Sequence, residues 1–125
     1  MRRVSPKRRK LLATATPLRE QLIEQVGICE FCLRDCGQLD CHEIARGQNR
    51  ERALTERYAC LVLGRACHDE LHRWPSDSAA AIGLLLIERS RPTDSNIEAF
   101  YQLLNRRWPT PETINRWRNR LWGEQ

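Results

Sequence analysis

His68 and His72 stand four apart in a stretch, Ala66 to Arg73, that has the composition of a short helix. At that spacing both imidazoles leave one face of a helix about a turn apart, which suits two nitrogen ligands on one divalent metal. The bland alternative is a pair of surface histidines on a polar helix. His42 is the third and last histidine, so every histidine of the chain falls between positions 42 and 72. Cysteines crowd the same region. Cys29-Glu30-Phe31-Cys32 has the spacing that places two thiolates on one tetrahedral zinc. Cys67 sits about 100° around the helix from His68, so it can face a different site and supply a third thiolate. A C-x-x-C pair can also be a redox pair or core residues, but the accompanying cysteines and the absence of a thioredoxin pattern favour zinc.

Six cysteines would make three disulfides in a secreted protein and metal ligands in a cytosolic one. The first ten residues, Met1 to Lys10, lack the apolar stretch of a secretory signal. Nowhere do about 18 apolar residues run together, so no membrane span is expected. Reduced thiols in a cytoplasm are therefore the expected state. The 125 residues suit one compact domain with a modest core, for which a metal staple matters. Lys and Arg number 21 against 16 Asp and Glu, a formal net charge of +5 that suits a polyanionic partner without proving one.

The elements around these residues read in order. Residues 1–15 look like a flexible basic arm able to neutralise phosphates. Thr16-Pro17 has the form of a helix start, and Leu18, Leu22, Ile23 and Val26 repeat at helical spacing, predicting a helix over 17–26 that ends near Gly27. A cysteine knuckle and a first strand follow, the latter ending in Leu39-Asp40-Cys41-His42. Residues 45–57 read mostly as loop. Tyr58 to Leu63 is an apolar run suited to a second strand, broken by Gly64, and the histidine-bearing helix comes next. Three more helices are predicted: over 78–90, capped by Ser76 or Asp77; over about 96–106, capped by Asp94 or Ser95; and over about 111–121, capped by Thr110. The expected fold class is α+β and mostly helical. Residues 16–125 form a single domain, with a core at about 27–75 and a helical extension at 76–122.

The order C-x-x-C, Leu39-Asp40-Cys41-His42-Glu43-Ile44, an Arg/Gly-rich loop, then Leu61-Val62-Leu63-Gly64-Arg65-Ala66-Cys67-His68-x-x-x-His72 resembles the zinc-containing HNH nucleases. It looks especially like phage and bacterial HNH-type proteins with a His-Glu-Ile motif. The resemblance covers about residues 27–75 and implies a zinc-stapled ββα-metal core. It also implies a metal-dependent endonuclease acting on DNA, with RNA as a further possibility, in the cytoplasm of a bacterial or phage-infected cell. Such a protein would work as a monomer or homodimer.

Carried over position by position, His42 matches a strand-end metal ligand, and His68 and His72 match helix ligands of a catalytic Mg²⁺, Mn²⁺, Ni²⁺ or Zn²⁺. Glu43 falls where the general-base histidine usually sits. The reverse assignment, with Glu43 as ligand and His42 as base, stays open, and using both side chains requires a bend after the strand. Ala59 occupies the place of the family's bracing asparagine, for which Asn49 could substitute. Gly64 stands where the second knuckle would have its first cysteine, so the structural Zn²⁺ set is Cys29, Cys32, Cys67 and a fourth. Cys36 is preferred for the fourth, and Cys60 is the alternative. Cys41 reads as a buried strand residue.

Arg46, Arg50, Arg52, Arg65 and Arg73 are the candidate phosphate contacts, since guanidinium forks match phosphate oxygens. Trp108, Trp117 and Trp122 interleave with arginines and could stack on bases. Ile114, Trp117 and Leu121 share a helical face, however, which favours core packing for Trp117. The competing function is a catalytically inactive, zinc-stabilised DNA- or RNA-binding module, which Glu43 and Ala59 favour. A disulfide-bonded secreted protein is the poorest of the three readings.

Overall fold

A computed structural model describes residues 6–45, 53–104 and 110–122. In chain order it has helix α1 (Pro6–Val26), strands β1 (Leu39–Glu43) and β2 (Cys60–Gly64), and helices α2 (Arg65–His72), α3 (Ser76–Ser90), α4 (Ile97–Leu103) and α5 (Pro111–Trp122). A short 3₁₀ turn, Arg57–Ala59, leads into β2. The protein is thus α+β and mostly helical. No described helix is long and apolar enough to cross a membrane.

The first helix corrects the expected boundary. Residues 6–15, read above as part of a flexible arm, are its first half, and Pro17 lies inside it. Lys7, Arg9, Lys10, Leu12 and Ala13 are strong helix formers, and their summed preference carries the helix through a proline that forfeits one backbone bond. Ala15, fully buried, ties this half to the protein. The helix ends where expected: Gly27 has φ +70° and donates its N–H to the Ile23 carbonyl at 2.9 Å, a left-handed cap open to glycine at no steric cost.

The two strands pair antiparallel, with His42 opposite Leu61, Asp40 opposite Leu63 and Glu43 opposite Cys60. Alternation then divides the side chains between two faces. Cys60 and Val62 pack with Leu22 of α1 on one side. Leu61 and Leu63 join Ile44, Leu71, Ile82, Leu86, Ile87 and Phe100 in the main core on the other. Both faces of β2 are covered, which is why its sequence is an unbroken apolar run.

The C-terminal helices follow the predicted order with small shifts. Asn96, rather than Asp94 or Ser95, caps α4 by accepting from the Ala99 N–H at 3.0 Å. Asp94 is instead occupied by Arg57 and Arg91. Thr110 caps α5, its Oγ1 accepting from the Thr113 N–H at 3.3 Å. Trp117 packs against the main core, as its helical face predicts.

Candidate metal centres

The knuckle is built by backbone bonds. The Leu33 N–H donates to the Cys29 carbonyl at 2.8 Å, and the Cys29 N–H to the Arg34 carbonyl at 3.1 Å, folding Cys29 and Cys32 toward each other. The turn forces Leu33 to φ +61°. The N-terminal turn of α2 brings Cys67 to the same point, so one ligand atom from each of Cys29, Cys32 and Cys67 lies within 4.8 Å of the others. These residues could hold a metal ion. The Cys36 sulfur lies 3.3 Å from that of Cys32. Sulfurs on one tetrahedral zinc stand about 3.8 Å apart for Zn–S bonds near 2.3 Å, so the spacing fits a four-thiolate set with modest expansion. Cys60, the alternative fourth ligand, points to the α1 face of β2, where burial pushes its thiol up to about 11. Cys41 shares that face and donates to the Arg19 carbonyl at 3.7 Å.

The thiols divide by charge. Burial pushes Cys32 up, but hydrogen bonds from Cys36, the Arg34 backbone, Cys29 and Cys67 outweigh it and bring the thiol down to about 7. The hydrogen bond to Cys32 raises Cys36 to about 11, and burial with its bond to Cys29 raises Cys67 to about 12. Cys36 and Cys67 therefore keep their protons at neutral pH and donate to the sulfur that most readily loses its own.

Glu30, between the two knuckle cysteines, carries no sequence signal of a role, yet it is fully buried. Its carboxylate accepts from the Val62 N–H at 2.8 Å and from both Nε and a terminal nitrogen of Arg91, at 3.1 and 3.0 Å. Ser90 also donates to it. Arg89 donates to the Glu30 and Phe31 carbonyls, at 2.9 and 3.3 Å. The end of α3 thus fixes the knuckle against β2. Only a charge buried across a long sequence separation would reveal this pair, and nothing local does.

The second cluster joins β1 to α2. One ligand atom from each of His42, His68 and His72 lies within 4.8 Å of the others, and these residues also could hold a metal ion. The Nε2 atoms of His68 and His72 are 3.0 Å apart, and the ring centroids of the three pairs are 4.7–5.1 Å apart. Two imidazole nitrogens on a tetrahedral metal stand about 3.3 Å apart, so the pair fits one ion with little movement. His42 is buried and His72 exposed, leaving one side of the cluster open to solvent.

Glu43 is not one of the residues brought together. Next along the strand, it turns to the α1 face and pairs with Arg19. The chain does bend directly after the strand, at Ile44 and Ala45, yet Glu43 stays with Arg19 rather than with the three histidines. Asp40, two residues before His42 and on its face, stands there instead. Its Oδ2 lies 3.6 Å from His68 Nδ1 and 3.5 Å from an Arg65 terminal nitrogen. Ala59, where the resemblance expects an asparagine, is buried, and its carbonyl accepts the Ile44 N–H at 3.0 Å.

Of the expected phosphate contacts, Arg65 opens α2 and Arg73 caps its C-terminal end, both about three-quarters exposed and loosely paired with Asp69 and Glu70. Arg46, Arg50 and Arg52, with Asn49, lie outside the described residues, as does Trp108. No family model, curated protein or solved structure matches the chain. What stands is a small α+β protein with one cysteine and one histidine grouping, each able to hold a metal ion.

Proposed function

We propose that the protein is a metal-dependent endonuclease that hydrolyses DNA phosphodiester bonds at His42, His68 and His72. Its ββα core would be stapled by a zinc on Cys29, Cys32, Cys36 and Cys67. The observation that carries this reading is the convergence of three histidines from a strand and the following helix, with one ligand atom of each within 4.8 Å of the others and the Nε2 atoms of His68 and His72 3.0 Å apart. A purely structural module has no need of three imidazoles facing one another beside a separate cysteine cluster. Three nitrogen ligands leave a coordination position free, and a divalent ion there stabilises charge on a phosphate and acidifies bound water. Arg65, exposed at the N-terminal end of α2, would take a phosphate oxygen. The net charge of +5 suits the polyanion.

The test is cleavage of supercoiled plasmid by purified protein with Mg²⁺, Mn²⁺, Ni²⁺ or Zn²⁺, beside His68→Ala. Metal-dependent nicking that the variant lacks supports the reading. Folded, zinc-loaded protein that shifts DNA in a gel but never cleaves it overturns it in favour of the second reading, a catalytically inactive nucleic-acid module. That reading is favoured by the engagement of Glu43 with Arg19 and by alanine at position 59.

A further inference from the structure

His68 Nδ1 is buried and has no hydrogen-bond partner. Its other ring nitrogen faces His72. A neutral imidazole carries one N–H and one lone pair, and the partner of one nitrogen decides which form the other takes. If Nε2 held the proton, His68 would present a hydrogen to the point where the three histidines meet. With the proton on Nδ1, it presents a lone pair.

Asp40 supplies the group that makes this choice. Among the described residues its carboxylate is the one within ion-pair distance of Nδ1, at 3.6 Å. Glu43 is engaged with Arg19, Glu70 with Arg73 and Trp74, and Asp69 with Arg65. The strand sets the placement: residues 40 and 42 share a face, so the residue that offers a ligand and the residue that steers a neighbouring ligand come two apart. A closure of about 0.8 Å, within reach of a side-chain rotation, turns the pair into a charge-assisted hydrogen bond. The same Oδ2 lies 3.5 Å from Arg65, whose other carboxylate neighbour is Asp69 at 3.6 Å.

We propose that Asp40 is the positioning residue of the histidine site. It accepts the Nδ1–H of His68 so that Nε2 keeps its lone pair for the metal, and it holds Arg65 at the edge where a phosphate would arrive. This rests on the metal-site reading above and assigns a role to a residue that touches neither metal nor substrate. Carboxylate partners of ligating histidines typically account for about 10–100-fold in metal affinity.

The experiment uses the full chain with its cysteine site zinc-loaded and nickel as the probe. Long-range ¹⁵N–¹H correlations read the tautomer of His68 before nickel is added, and calorimetry reads nickel affinity. The wild type should show His68 with its proton on Nδ1. Asp40→Ala should shift it toward the Nε2–H form and weaken nickel binding about 10–100-fold. Asp40→Asn, whose carbonyl still accepts a hydrogen bond, should keep the Nδ1–H form and most of the affinity, which a loss of bulk would not explain. Arg65→Ala should leave nickel affinity unchanged while weakening DNA binding. An unchanged tautomer and affinity in Asp40→Ala overturns the proposal. Wild-type protein that takes up no nickel beyond His68→Ala defeats the metal-site reading, and the tautomer comparison then still decides whether Asp40 orients His68.

Discussion

A side chain on Gly64 would place its Cβ 2.5 Å from the Cβ of Cys36 and 3.0 Å from its sulfur. Position 64 is where the resemblance expects a knuckle cysteine, and Cys36 fills the space that cysteine would need. Gly64→Ala should therefore overpack the cysteine cluster, costing about 1–3 kcal/mol and lowering zinc content. Gly64→Cys alone should do the same. Gly64→Cys with Cys36→Gly should recover much of the loss, because both clashing atoms of Cys36 are gone and a fourth thiolate returns from the other side. Thermal unfolding and zinc per chain measure all three. A double variant no better than the single one would mean that Cys36 and Gly64 do not share the site.

Zinc uptake should release protons. Cys36 and Cys67, raised to about 11 and about 12 without metal, hold protons at pH 7 that a zinc ion must displace. The sign follows: affinity rises with pH, about tenfold per unit for each proton released, and falls in acid. Competition with a coloured chelator at pH 6, 7 and 8 measures the slope. A flat profile would contradict the four-thiolate assignment.

The buried pair of Glu30 and Arg91 should be expensive to break. Arg91→Ala leaves the Glu30 carboxylate as an uncompensated buried charge, at about 3–5 kcal/mol in urea unfolding, and Glu30→Ala, which leaves Arg91 its pair with Asp94, should cost less. Asp94, beside this pair, is held below the usual carboxylate range by its hydrogen bond from Arg57, against burial, with Arg91 adding to the effect. A folded pKa below the unfolded one gives stability that is complete above the ordinary aspartate range and fades as pH falls through the folded value. Asp94→Asn should flatten that acid limb of the stability profile.

Glu43 and His42 should separate in a nicking assay. Glu43→Gln weakens a part-buried pair with Arg19, so it should cost about 1 kcal/mol of stability and leave cleavage within about threefold. His42→Ala should reduce cleavage at least about 100-fold. Loss of cleavage in folded, zinc-replete Glu43→Gln would restore Glu43 as the base.

Leu33 offers a stabilising change. Its left-handed backbone, φ +61°, costs a side-chain residue about 1–2 kcal/mol, and the side chain is 49 % exposed, so little burial is lost. Leu33→Gly should raise the unfolding midpoint while leaving zinc content unchanged. A lower midpoint would show that the Leu33 side chain contributes more than its exposure implies.

The sequence by itself determined the elements and much of the donor set. The i, i+4 spacing put His68 and His72 on one face, the C-x-x-C placed Cys29 beside Cys32, and the apolar run Cys60 to Leu63 marked a strand buried on both faces, because each of these is a local periodicity. It misjudged the start of α1, since a proline that often opens a helix can also sit inside one when its flanks are strong helix formers. Only the tertiary structure decided which face of β1 meets which helix. Register sends His42 and Asp40 toward α2 and Glu43 and Cys41 toward α1, and a shift of one residue would exchange the two sets. Cys36 against Gly64, Asp40 beside His68, and Glu30 with Arg91 are likewise contacts between distant segments, fixed by packing and charge burial that no local spacing encodes.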